Sequence, residues 1–197
     1  MATARGARAL CFEPNTVSTL NVTAYVGVWY EVISDKFVDD TFQRGSACPT
    51  ATYTPSETKP GYVHVCNSAR LERNASNGTR YTIDGYAHQP EPLKYPGRLS
   101  VHLNTGFPLP APYWILATGP IVNGAYQWAV VSDPGCVSLF VLSRKPSLAP
   151  ATRTAIVTML LDVGFSMDQI QDEIQGAQCN YVLPCDPSAA ARARART

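Results

Sequence analysis

The sequence predicts an all-β protein: an eight-stranded up-and-down antiparallel barrel with one C-terminal α-helix packed on its wall. Three observations lead there. From Gly27 onward the chain breaks into eight short runs rich in β-branched and aromatic residues. The breaks between them carry the turn residues Pro, Gly, Asn and Asp. After the eighth run comes one stretch whose apolar residues recur at three- and four-residue steps. A meander of strands that closes on itself leaves no exposed edge, and its wall gives the helix somewhere to bury its apolar stripe.

The predicted strands are 28–34, 50–54, 62–67, 80–88, 99–103, 113–118, 126–131 and 137–143. Between them lie ETKPG at 57–61, RNASNG at 73–78, KYPG at 94–97 and SDPG at 132–135, so neighbouring strands are expected to pair as hairpins. The helix begins near Pro150, whose fixed φ suits a first helical position, and stops at Gly164, which suits a C-terminal cap. Ala155, Ile156, Met159, Leu160 and Val163 form its sticky face. A second, weaker helical turn is expected over 167–174. The end, 188–197, is small and basic with nothing to bury and is expected to be disordered. The expected organisation is an extraneous or disordered segment 1–10, a single domain over 11–187, and that tail.

The 197 residues, 45% hydrophobic and 16% charged, suit one globular domain. A net charge of +1 provides no field to attract nucleic acid or anionic lipid. The longest apolar stretches fall far short of the roughly 20 residues that span a bilayer. Six cysteines, at 11, 48, 66, 136, 179 and 185, include no CxxC pair and read as disulfides. Sequons at Asn21, Asn74 and Asn77 agree with a secreted or lumenal, oxidising location. Residues 1–10 lack the apolar core of about 7–15 residues that a signal peptide needs. Any export signal is therefore expected to lie outside this sequence.

Three short motifs then stand out. YVGVWYEV at 25–32 carries Gly27 and Trp29, VSDP at 131–134 carries Asp133, and FVLSRKP at 140–146 carries Arg144. In this order they resemble the three motifs of the lipocalin family. APYWILAT at 111–118 is similar to the family's branch of apolipoprotein D and the bacterial lipocalins. The resemblance covers about residues 11–179 and implies a barrel that binds a small hydrophobic ligand. It also implies that Arg144 stacks on Trp29 to close the barrel floor, an arrangement worth about 0.5–2 kcal/mol in itself. The plainer alternative is an ordinary core indole and a solvated guanidinium.

The resemblance places Tyr53, Asn67, Tyr113, Phe140 and Leu142 inward. Strand alternation adds Val65, Leu99, Val101, Leu103 and Ile115 to the same faces. Such a wall, apolar with a few polar handles, suits a sterol, fatty acid, retinoid, carotenoid or bilin equally well. The same side chains could instead meet and fill the interior. Phe37, Phe42 and Phe107 fall where a barrel rim lies, either as a greasy gate or as anchors for their own loops. Alternation puts Glu31 on the face of Trp29, where a buried carboxylate is costly, so a bulge or trapped water is expected.

Common catalytic signatures are missing: GxSxG, the P-loop, HExxH and the dinucleotide fingerprint. His64 and His102 are expected to face outward and His88 to sit at a strand end, which assembles no metal site. No cofactor is implied, and the chain is read as a binder rather than an enzyme. Two alternatives stay open. One is a lipocalin-fold enzyme acting on a lipid or carotenoid, by a cavity thiol or by carboxylate chemistry. The other is a subunit that docks a protein partner through outward Tyr62, Tyr86, Trp114 and Tyr126.

The resemblance implies the pairs Cys11–Cys136 and Cys48–Cys179, leaving Cys66 and Cys185 as a departure from the family's pattern. If Asn67 faces the cavity, Cys66 faces out, and a third disulfide, Cys66–Cys185, is expected. Peptide mapping without reduction is expected to recover that pair. A free Cys66 thiol, reached by alkylating reagents only after ligand is displaced, would overturn it and favour the thiol-dependent enzyme.

Overall fold

A computed structural model describes residues 11–104 and 109–181. The expected tails at 1–10 and 188–197, Phe107 and Cys185 lie outside them. The elements are α1 (Val22–Tyr25), β1 (Gly27–Asp35), α2 (Lys36–Asp40), β2 (Ala47–Pro55), β3 (Tyr62–Arg70), β4 (Arg80–His88), β5 (Arg98–Leu103), β6 (Ala111–Thr118), β7 (Ile121–Val122), β8 (Ala125–Tyr126), β9 (Trp128–Ser132), β10 (Leu139–Ser143), α3 (Pro150–Val163) and β11 (Ile170–Asp172).

Strands β1 to β6, β9 and β10 pair antiparallel in meander order, and β10 returns to β1 to close an eight-stranded barrel. Every pairing in the wall is local in sequence except the closure. The small β7–β8 hairpin interrupts only the connection between β6 and β9. Facing pairs such as Glu31 with Leu142 and Ile115 with Val131 fix which side chains look inward. A register shift between Glu31 and Ile33 puts Ile33 on the outer face and Ser34 opposite Phe140.

Two apolar layers follow. Inside, Trp29, Tyr53, Val65, Leu99, Val101, Ile115, Val131 and Leu142 form one cluster. Outside, Val32, Ile33, Val130 and Val141 receive Ile156 and Leu160 of α3, with Phe165. Gly164 ends that helix at φ 116°, where its N–H bonds to the carbonyls of Leu160 and Leu161. A Cβ is disfavoured at that φ, so the helix stops where the glycine allows it.

The expected helical turn at 167–174 is instead β11, which pairs with β1 through Ile33–Asp172, Ser34–Gln171 and Asp35–Ile170. The mouth half of β1 has parted from β2 there, and β11 fills the unpaired edge. Gln175 continues the repair, its amide donating to the carbonyls of Glu31 (2.7 Å) and Pro49 (2.8 Å). Arg153 holds β11 to α3 by a forked contact with Asp172 at 2.9 Å.

Tyr126 also departs from expectation. It lies in β8 rather than in the wall strand, so the alternation of that strand does not reach it. Its ring is buried in the inner cluster and its hydroxyl accepts the Asn21 N–H at 3.1 Å. Of the other outward aromatics, Lys59 covers Tyr62 and Tyr86, and Arg98 covers Trp114 at 3.9 Å.

Arg144 closes the floor. Its guanidinium lies 3.5 Å from the Trp29 ring centroid and donates to the carbonyls of Tyr126, Val28, Ala24, Tyr25 and Val26. Asp133 organises the opposite end of β10. Its carboxylate accepts the N–H groups of Gly135 and Ser138 and the Ser138 hydroxyl. Cys11 bonds to Cys136 and Cys48 to Cys179, with Cα separations of 5.7 and 5.8 Å. Cys66 is disulfide-bonded as well.

Replacing Arg144 by Ala leaves those carbonyls without their donor and is expected to cost about 3 kcal/mol or more in chemical denaturation. Arg144→Lys, which lacks the planar fork, is expected to recover less than half of that loss. A lysine variant as stable as the parent would show that charge alone closes the floor.

Candidate ligand-binding cavity

The cavity begins with the segment before β1. Asn21 caps α1 by accepting the Ala24 N–H, and the short helix carries Tyr25 across the barrel axis. Trp29 fixes it from below, its indole N–H donating to the Tyr25 carbonyl at 2.8 Å. The Tyr25 ring lies parallel to that of Tyr53 (5.9 Å, 8°), and Tyr113 meets Tyr53 edge-on. The Tyr113 hydroxyl is 2.8 Å from that of Tyr25 and 3.1 Å from that of Tyr53.

Around these rings lies a partly enclosed cavity of about 50 Å³ lined by Leu20, Val22, Tyr25, Val26, Tyr53, Val63, Val65, Asn67, Ala87, Leu99, Val101 and Tyr113. It lies in the lower half of the barrel, because Tyr53 lies near the end of β2 and Val63 near the start of β3, on the side of Arg144. Of the residues expected to line it, Tyr53, Val65, Asn67, Leu99, Val101 and Tyr113 do so. Ile115 and Leu142 are in the same inner cluster without lining the cavity, and Leu103 and Phe140 pack against it, half-buried. Sequence reasoning missed Val63 and Ala87 on wall strands, and Leu20, Val22, Tyr25 and Val26, which come from the floor segment. The available signal was Asn21, read only as a sequon although Asn is also a strong helix N-cap.

Burial pushes the phenols of Tyr25 and Tyr113 up and that of Tyr53 to about 12, so all three keep their protons. Arg144 is lowered by burial only to about 10 and remains a cation. Toward the mouth stands Glu31, buried at 7% exposure. One carboxyl oxygen accepts from the Gln43 amide at 2.7 Å, whereas Oε1 has no partner. Burial, then the nearby Glu173 carboxylate, raises its pKa well above the ordinary value, against the pull of Gln43. The bulge expected at Glu31 is present beside it, but its burial is not relieved by it. Glu173 accepts the Ser34 hydroxyl, and Asp35, pushed up to about 6 chiefly by burial, caps α2 through the Val38 N–H.

At the rim Phe37 and Phe42 are exposed and touch each other edge to face. A groove of about 280 Å³ on the outer wall, between Pro90 and Trp114, is larger than the inner cavity. It is open to solvent and its floor is already occupied by Arg98 stacked between Tyr95 and Trp114. The inner cavity, more sheltered and more apolar, is the better small-molecule site. His64 sits 3.6 Å from Asp84 and His88 stacks on Tyr62. Among the described residues no group of His, Cys, Asp and Glu could hold a metal, and none of the cysteines is free.

Comparison with known proteins gives a consistent picture. The family described as Lipocalin-like domain matches residues 20–175. Temperature-induced lipocalin-1 of Arabidopsis thaliana is 29% identical over 164 residues, covering 80% of this chain and 81% of that protein. Apolipoprotein D of Mus musculus is 30% identical over 172 residues, covering 81% and 79%. Among solved structures, H1 crustacyanin from the lobster Homarus americanus superposes with a TM-score of 0.62 at 18% identity, covering 89% and 93%. Insecticyanin from the tobacco hornworm Manduca sexta gives 0.61 at 16%, covering 89% and 92%.

The Glu31 shift makes a testable demand. The folded chain retains a proton that the unfolded chain releases near pH 4.5, so this contribution to stability is full below that pH and declines as pH rises toward the folded value. Glu31→Gln, which cannot ionise, is expected to gain stability relative to the parent as pH rises from about 4.5 to 8. Denaturation curves across that range check it. A gap that stays constant with pH would mean that Glu31 ionises normally.

Proposed function

The chain belongs to the lipocalin family, and from that premise we propose that its barrel binds a small hydrophobic ligand for transport or storage in an oxidising compartment. The observation that carries this reading is the apolar cavity between the Trp29–Arg144 floor and the mouth, with tyrosine hydroxyls as its polar handles. The disulfides and the exposed sequon residues Asn21, Asn74 and Asn77, which we take as glycosylation sites, support the compartment.

A cavity of about 50 Å³ is smaller than a sterol or a fatty acid. Binding therefore displaces side chains. The half-buried Leu103 and Phe140, which pack against the core without belonging to its fully buried part, are the ones to give way. A ligand hiding roughly 400 Å² of apolar surface gains about 10 kcal/mol gross. Association and the displaced packing consume much of it, leaving micromolar to nanomolar affinity.

Trp29 is a built-in reporter, its ring 5.2 Å from that of Tyr25 beside the cavity. Fluorescence titration with sterols, fatty acids, retinoids and bilins is expected to give at least one saturable ligand with Kd below about 100 μM. Val65→Phe, which fills the cavity, is expected to weaken that ligand tenfold or more while the protein still unfolds cooperatively. If no compound saturates and native mass spectrometry of the purified chain finds nothing bound, the carrier reading fails.

A further inference from the structure

The three phenols at the centre of the barrel carry one proton more than the hydrogen bonds between them use. Each hydroxyl has one proton to donate and two lone pairs to accept with. Tyr25, Tyr113 and Tyr53 make two hydroxyl–hydroxyl bonds, both through Tyr113. Whichever way those bonds run, they consume two protons and leave the third outside the bonds of the cluster itself. The Tyr126 hydroxyl sits apart, accepting from Asn21. The floor carbonyls of Ala24, Tyr25 and Val26 are taken by Arg144, and the Tyr25 carbonyl also by Trp29. Around the rings the wall is apolar, Val63, Val65, Ala87, Leu99 and Val101, with the Asn67 amide as the polar side chain beside the tyrosines.

A second, independent observation has the same sign. Arg144 lies just below, and among the described residues it makes no ion pair. Its donors go to carbonyl dipoles, which orient the guanidinium without cancelling its charge. The space above it thus favours electron-rich atoms and disfavours a second cation.

Resting on the carrier reading, we propose that the ligand presents a hydrogen-bond acceptor, a carbonyl or carboxylate oxygen, to the Tyr25–Tyr113–Tyr53 hydroxyl cluster. The acceptor takes up the surplus proton and the apolar remainder of the molecule extends toward the mouth. An ammonium head has no lone pair to accept from the cluster and would bring a second cation above Arg144. The high phenol pKa values agree, since neutral hydroxyls remain donors throughout the ordinary pH range.

The test uses the full chain and four compounds sharing one hydrocarbon frame: the parent hydrocarbon, a ketone, a carboxylate and a primary amine. The ketone or the carboxylate is expected to bind at least as tightly as the hydrocarbon despite its greater affinity for water. The amine is expected to bind at least about tenfold more weakly than the better acceptor, equivalent to about 1.4 kcal/mol. A tighter ketone assigns the neutral carbonyl, and a tighter carboxylate assigns the anion. The infrared stretch of the bound, isotope-labelled ketone is expected below its position in alkane solvent, a readout that needs no variant. The triple replacement Tyr25→Phe, Tyr53→Phe, Tyr113→Phe, where it folds, is expected to return the preference to the hydrocarbon. If the compounds bind but the amine matches the acceptors and the ketone stretch stays at its alkane position, this inference fails while the carrier reading stands. If none of the four binds, the carrier reading itself fails for this frame and the acceptor preference falls with it.

Discussion

The contact between Arg144 and Trp29 sets what the rest of the barrel can do. Helix α1 is only four residues long, too short to persist on its own, yet it forms the floor. Its C-terminal carbonyls are gathered by one guanidinium, which also reaches β1 and β8 and lies flat on the indole. Gly27 leaves the room for this: a Cβ there would sit 3.1 Å from the Arg144 Nη1, and its φ of +105° is one that other residues avoid. With the floor so held, Tyr25 is delivered to the axis, where Tyr53 and Tyr113 can reach it. The cavity is a consequence of the floor more than of the wall.

The interior is divided by chemistry along its axis. Next to the floor a fixed positive charge is surrounded by backbone dipoles. Above it three neutral phenols share two hydrogen bonds, and nearer the mouth Glu31 is held by Gln43 beside Glu173 and Asp35. Burial acts oppositely on acids and bases, favouring neutral phenols and a protonated carboxyl while shifting the guanidinium too little to discharge it. The barrel can thus be apolar in surface yet directional in field.

The eight strands, their order and the helix between Pro150 and Gly164 were legible because each rests on local signals: alternation, turn residues, a proline and a glycine at the ends. The motif residues Gly27, Trp29, Asp133 and Arg144 were legible through resemblance, and their contacts now have physical causes. What escaped was non-local. The 170–172 segment has the composition of a weak helix, but the unpaired edge of β1, 135 or more residues earlier, decides its conformation. Tyr126 was misplaced because alternation cannot be carried across a hairpin boundary. Tyr25 was missed because the reading of lining residues followed wall strands, and the floor is not one. How far the rings fill the interior is likewise a property of packing, which no pattern in the chain displays.

Both described disulfide pairs lie away from the floor. Cys136 is in the turn between β9 and β10, and Cys48 begins β2 where it has parted from β1. They tie the N-terminal arm and the segment after β11 to the mouth, while the opposite end is secured by a cation, an indole and five carbonyls. The barrel consequently has one end braced by covalent chemistry that a reductant can undo and another braced by contacts indifferent to redox state. Reduction of these two pairs would loosen the arm and the segment after β11 at the mouth and leave the contacts of the floor in place.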